Sequence, residues 1–127
     1  MKKIVLSLFV VLMMSAWSLQ SQHTGNLVLN PSFETSFAMP DREGDIANAV
    51  GWDNLNGGTT YPNATPDYFH VNGVCDAQLP NTYAGTVPTY DGNAVAGFIT
   101  YNFFVPNYRE YLGINLNLTM VPGVNYT

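Results

Sequence analysis

Between residues 112 and 118 every second position is aliphatic: Leu112, Ile114, Leu116 and Leu118, with Gly113, Asn115 and Asn117 between them. Strict alternation is the pattern of a strand with one face in a core and the other in water. Just upstream, Val95, Ala96, Phe98, Ile99 and Tyr101 make a nearly continuous apolar run, the pattern of a strand covered on both sides. Val105-Pro106-Asn107, a turn, lies between the two runs. Residues 93–118 are therefore read as the centre of the fold, two strands joined either as a hairpin or as a crossover between sheets.

The rest of the chain predicts shorter elements. Asn26-Leu27-Val28-Leu29 reads as a short strand closed by the turn Asn30-Pro31-Ser32, and Phe33-Glu34 opens another extended piece. Residues 35–48 lack periodicity and predict a loop with a short helical turn. Val50-Gly51-Trp52 reads as a brief strand, and 54–66, rich in Asn, Gly, Thr and Pro, as a long loop. Tyr68-Phe69-His70-Val71 is the next strand, with Tyr68 and Phe69 on opposite faces, so that one of them points outward. Residues 75–88 again read as loop, and Asp91-Gly92-Asn93 as a tight turn. Past the first residues no segment has a helical period. Short strands separated by Gly, Pro and Asn turns predict an all-β sandwich.

The first residues have a different character. Lys2 and Lys3 precede an apolar run over 4–14 broken only by Ser7, and small and polar residues follow. These are the three parts of a secretory signal peptide. Cleavage fits after Ser18 or after Ser21, which makes residues 1–21 the signal and 22–127 the exported part. The run falls short of the about 20 residues that cross a bilayer, and no second one follows. The expected localisation is extracellular, on the cell surface or associated with an outer membrane.

Removing the signal removes two of the four basic residues and leaves Arg42 and Arg109 against nine carboxylates, a formal charge of −7. A surface of that sign repels phosphate backbones, so nucleic acid is not an expected partner. The lone Cys75 has no intrachain disulfide partner; it reads as a buried thiol or as one whose partner lies outside this chain. The C-terminal Pro122-Gly123 turn leads into Val-Asn-Tyr-Thr, which reads as the opening of another strand. That predicts a longer protein of which this is the N-terminal part.

The segment Asn26-Leu27-Val28-Leu29-Asn30-Pro31-Ser32-Phe33-Glu34 is similar to the opening of galactose-binding-like β-sandwich modules, which include many carbohydrate-binding modules. Gly51-Trp52, Thr65-Pro66-Asp67-Tyr68-Phe69, Cys75, the Gly92-Asn93-Ala94-x-Ala96-Gly97 turn and strand, and Tyr108-Arg109-Glu110-Tyr111-Leu112 follow in order. Together they resemble the N-terminal module of secreted cell-envelope proteins of Gram-negative bacteria. The resemblance implies a jelly roll of about eight strands, of which about five or six fit in this chain. It also implies that Glu34 ligates a structural calcium, a hard cation that takes oxygen ligands.

Catalysis finds little in the residues. His23 lies in a polar lead-in and His70 inside a strand, neither in a nucleophile or metal-ligand motif. The expected function is non-catalytic: binding of a glycan or another surface polymer by an exported module. A structural spacer or adhesion domain, or an accessory domain of a secreted hydrolase, are the alternatives. Aromatic faces stack on sugar C–H faces while Asn, Asp and Arg bond the hydroxyls. Tyr111, on the wet face with Asn115 and Asn117, is the first candidate, and Tyr61, in a polar loop, the next. Trp52 reads as core or as a stacking platform. Arg109 reads as a salt-bridge partner or as a guanidinium aimed at a sugar. Glu110 falls in the apolar register and requires either a strand end or a hydrogen-bond donor.

Overall fold

The computed structural model describes residues 25–58 and 62–126; the signal segment and Tyr61 lie outside the described residues. Val28–Asn117 form one compact unit, and the described residues 25–27 and 118–126 belong to another. In the latter, the Val124 amide donates to the Val121 carbonyl at 3.2 Å around Pro122-Gly123, the turn those residues predict.

The architecture is all-β. Among the described residues the only helical pieces are single 3-10 turns at Asp45–Asn48, Asn56–Gly58 and Cys75–Ala77. Among the described residues six short strands pair as three antiparallel ribbons. β1 (Trp52–Asn54) pairs with β6 (Leu112–Ile114), β2 (Asp67–His70) with β5 (Ala94–Gly97), and β3 (Asn81–Thr82) with β4 (Gly85–Thr86).

The central stretch resolves as a crossover. Its first half, β5, lies against β2 with Ala94 opposite His70 and Gly97 opposite Asp67. Its second half, β6, lies against β1 with Gly113 opposite Asp53. The turn between them is as the sequence predicts. Tyr108 N–H reaches Val105 C=O at 3.2 Å, with Asn107 at φ 64°. Pro fixes the first central residue of such a turn, and Asn tolerates the left-handed second one.

Several expectations are corrected. The apolar run upstream is not covered along its length: β5 ends at Gly97, and Phe98 and Tyr101 are exposed. Residues 26–29 form no strand, 27–29 being bends, and Phe33 is left-handed (φ 63°) instead of extended. Its carbonyl accepts the Tyr68 hydroxyl at 3.0 Å, which holds that backbone in place. The strand placed at 50–52 begins two residues later. The loop at 75–88 contains the β3–β4 ribbon. Cys75 is exposed.

Tyr68 and Phe69 do point to opposite faces, but both are buried, because β2 has a core on each side. Tyr68 packs with Ile46, Ala49 and Ala94, with Phe33, Trp52 and Leu112 around them. Phe69 packs with Ala77 and Leu79, flanked by Val71, Val87 and Val95.

The interior also carries polar groups, each with partners. Asn30 is the junction of the N-terminal loop. Its Nδ2 donates to the carbonyls of Thr35 (2.8 Å) and Val50 (3.1 Å), and its Oδ1 accepts the Thr35 amide (3.1 Å). Asn56, fully buried, donates to Ala64 C=O at 2.5 Å and accepts the Tyr111 amide at 2.9 Å. A side-chain amide thus continues the β1–β6 ladder one residue beyond the strand, where Leu55 N–H also meets Tyr111 C=O at 2.9 Å.

Candidate functional site

The β1–β6 ribbon has two unlike faces. Trp52 and Ile114 lie on one, and the positions between them, Asp53 and Gly113, lie on the other. On that outer face the alternation adds Tyr111 and Asn115 from the β6 side and Leu55 from the β1 side. An open depression of about 160 Å³ is lined there by Asp53, Leu55, Gly113, Ile114 and Asn115. Gly113 is part of the lining, and a Cβ at this position would run into Leu55 Cδ1, so the absence of a side chain at 113 is what lets Leu55 pack over that backbone.

The groups around the depression are available. Tyr111 is 49% exposed and Leu55 56%. Asp53 and Asn115 are exposed, and neither side chain has a hydrogen bond among the described residues. The lining offers an aliphatic wall, a carboxylate and an amide, and Tyr111 lies on the same face of the ribbon outside that lining. Together these offer an apolar face with one acceptor and one donor–acceptor at the rim.

Two other cavities among the described residues have polar groups bonded within the chain. One of about 230 Å³ runs between Pro31, Phe33, Tyr90 and Ala96. In its lining Ser32 Oγ donates to Asp91 Oδ2 at 2.8 Å, while Tyr90 is fully exposed. One of about 220 Å³ lies between Phe69, Tyr83, Val95 and Ile99. There Asp67 accepts the Gly44 amide (2.7 Å) and the Tyr83 hydroxyl. Burial, and then that bond to the carboxylate, push the Tyr83 phenol well above its usual value.

The sequence candidates fall into separate groups. Tyr111 and Asn115 share the outer face of the ribbon. Arg109 is held elsewhere: its Nη1 donates to Tyr108 C=O at 2.7 Å and its guanidinium carbon lies 5.5 Å from the centre of the Tyr101 ring. Both ion pairs among the described residues belong to Arg42. Trp52 is on the core face, its ring 4.6 Å from that of Phe33 and its Nε1 donating to Asn30 C=O at 2.8 Å. Tyr61 lies outside the described residues.

Glu34 caps a turn. Its Oε1 accepts the amides of Asn93 (2.7 Å) and Ala94 (3.0 Å), and its Oε2 accepts Asn93 Nδ2 at 3.4 Å. Among the described residues no three His, Cys, Asp or Glu side chains converge. His70 is buried, and its Nδ1 accepts the Asn72 amide at 2.9 Å.

Asp53, Leu55 and Gly113 were not singled out in the sequence. With the strand placed at 50–52, Asp53 and Leu55 read as loop, and a glycine in an alternating strand reads only as a small wet-face residue. Their proximity depends on which strand pairs with residues 112–114. Comparison of the chain with family models, curated proteins and solved structures gave no match. Among the described residues no helix is long and apolar enough to cross a membrane.

Proposed function

We propose that the chain is a non-catalytic, exported β-sandwich module that binds carbohydrate on the outer face of the β1–β6 ribbon. The observation that carries the reading is the pairing of Asp53 with Gly113 between the exposed Tyr111 ring and Asn115. A sugar placed there stacks a C–H face on Tyr111 and Leu55, comes close to the backbone at Gly113, and bonds its hydroxyls to Asp53 and Asn115. Such sites are mostly apolar with a few placed polar groups. The export-type N-terminus and the resemblance to galactose-binding-like modules of cell-envelope proteins support the same reading. The jelly-roll topology and the cell-surface location belong to this proposal.

The test is a glycan array on the exported chain, followed by titration of any hit against Tyr111→Ala and Gly113→Val. Loss of about tenfold or more in affinity in both variants is expected, one from the lost stacking surface and one from the displacement of the Leu55 side chain that packs over Gly113. Binding that survives both substitutions places the sugar elsewhere. No binding across the array favours the spacer reading.

A further inference from the structure

Val95 and Ala96 of β5 line both the cavity beside Tyr90 and the cavity beside Phe69. The first has Phe33 and Ala94 in its wall, on the Tyr68 face of the β2–β5 ribbon. The second has Phe69 and Val87, on the opposite face. The strand between the two cavities has an unpaired side.

The hydrogen bonds fix which groups lie on that side. Val71 N–H donates to Asn93 C=O at 3.0 Å. In an antiparallel ladder such pairs recur at every second residue, so Val95, opposite Phe69, and Gly97, opposite Asp67, turn their N–H and C=O toward β2. Ala94 and Ala96 turn theirs away, and the Ala94 amide accordingly meets Glu34 Oε1 at 3.0 Å. Farther along, Ile99 N–H and C=O are both engaged by Glu110, so Phe98 also turns outward. Among the described residues the outward backbone groups of Ala96 and Phe98 have no hydrogen-bond partner. They stand in the two-residue repeat of a strand edge, which an extended backbone matches group for group.

Charge selects what that backbone carries. Asp91 Oδ2 accepts the Ser32 hydroxyl, and Asp91 Oδ1 has no hydrogen bond among the described residues. The fully exposed Tyr90 ring shares the cavity with it. A carboxylate beside a free aromatic face attracts an ammonium or guanidinium group. The cavity on the other face is walled by Phe69, Val87, Val95 and Ile99, and its carboxylate, Asp67, already accepts the Gly44 amide and the Tyr83 hydroxyl. It takes an apolar side chain.

We infer that β5 binds an extended, basic peptide strand of a partner protein along its outer edge. The strand exchanges backbone hydrogen bonds with Ala96 and Phe98, places a lysine or arginine at Tyr90 and Asp91, and puts the adjacent apolar residue in the cavity at Phe69. Alternate residues of a strand fall on opposite faces, as the two cavities require. Strand addition draws affinity from the backbone and specificity from such pockets. The charge balance, nine carboxylates against Arg42 and Arg109 beyond residue 3, favours a basic partner over a second copy. A copy offers Ala-Val-Ala-Gly-Phe at 94–98, with no cation, and its arginines are held at Asp41 and Asp45 and over Tyr101.

The test is titration of the chain with a short amidated peptide of alternating lysine and valine, read by fluorescence anisotropy and by amide hydrogen exchange. Binding is expected, with slowed exchange at Ala96 and Phe98. A peptide of the same composition with its lysines in one block and its valines in the next keeps the charge and loses the alternation. It is expected to bind more weakly by about tenfold or more, and so is the alternating peptide with its backbone amides N-methylated. Tyr90→Ala/Asp91→Asn, both exposed positions, is expected to weaken the alternating peptide by about fivefold, and a thermal melt confirms that the variant folds. The proposal is overturned if the alternating peptide does not bind, if the block peptide binds as well, if the double variant binds unchanged, or if binding leaves exchange at Ala96 and Phe98 unaltered. Self-association of the chain without peptide that slows the same amides also overturns it and makes a second copy the occupant.

Discussion

Glu110 and Ile99 hold each other twice: the Glu110 carboxylate accepts the Ile99 amide, and the Glu110 amide donates to the Ile99 carbonyl. A residue in an apolar register, 6% exposed, thereby becomes the clasp between the two halves of the central stretch. Its other oxygen accepts the Thr65 amide at 3.2 Å, which ties in the long loop before β2.

Glu110→Ala leaves the Ile99 and Thr65 amides without that acceptor. A destabilisation of about 1–2 kcal/mol is expected in urea denaturation, since both hydrogen bonds are only partly buried and water reaches the freed amides in part. Glu110→Gln keeps one acceptor oxygen and is expected to lose less. An alanine variant within about 0.5 kcal/mol of wild type, the range of an indifferent surface change, contradicts the clasp.

Asn30→Ala removes one acceptor and two donations from a side chain that ties Thr35 to Val50. The expected loss is about 2–3 kcal/mol. Asn30→Asp keeps the bond from the Thr35 amide but faces two carbonyls with a carboxylate, so it is expected to be no better. Trp52 donates to the Asn30 carbonyl, so tryptophan emission reports loosening at this junction.

Glu34→Ala frees the 91–94 turn and is expected to cost about 1–2 kcal/mol. Its oxygens already accept three hydrogen bonds. Replacing chelator with about 1 mM calcium, the range of extracellular modules, is therefore expected to leave the melting temperature of the wild type unchanged. A rise of several degrees that Glu34→Ala abolishes returns calcium to this residue.

Three phenols link stability to alkaline pH. Tyr68, Tyr83 and Tyr108 are all pushed above the ordinary tyrosine value, burial being the first cause in each. For Tyr83 and Tyr108 the hydrogen bond to Asp67 or Glu110 adds to it. The unfolded chain loses these protons near pH 10 while the folded one keeps them. Above that pH the folded state binds more protons, so stability falls as pH rises. Below about pH 9 these groups contribute no slope. Denaturation midpoints measured from pH 8 to 11 are expected to fall only in the upper part of that range. Tyr83→Phe is expected to be less stable at pH 8 and to show a shallower alkaline decline.

Much of the local structure was legible in the residues. Val105-Pro106-Asn107 names its own turn because Pro and Asn restrict backbone angles wherever they stand. Glu110 announced its need for donors, because a carboxylate in an apolar register has no other way to be buried. The strand at 68–71 was legible from its apolar run, though not the burial of both faces, which needed Ile46 on one side and Leu79 on the other. Tyr111 and Asn115 were legible as wet-face residues. Trp52 was not separable from a sugar platform, because its bond to Asn30 and its packing on Phe33 join residues distant in sequence.

What the sequence by itself determined is the β class, the turns and the polar positions that demand partners, because these follow from the preferences of each residue and its neighbours. Only the tertiary structure decided the pairings. Residues 93–118 read equally as a hairpin or as a crossover between sheets. The chain sends β5 to β2 and β6 to β1, where Tyr68, Trp52 and Leu112 gain a shared core that a two-stranded ribbon alone lacks. That choice sets Gly113 beside Asp53 and leaves the loop between the strands to carry its aromatic rings in solvent.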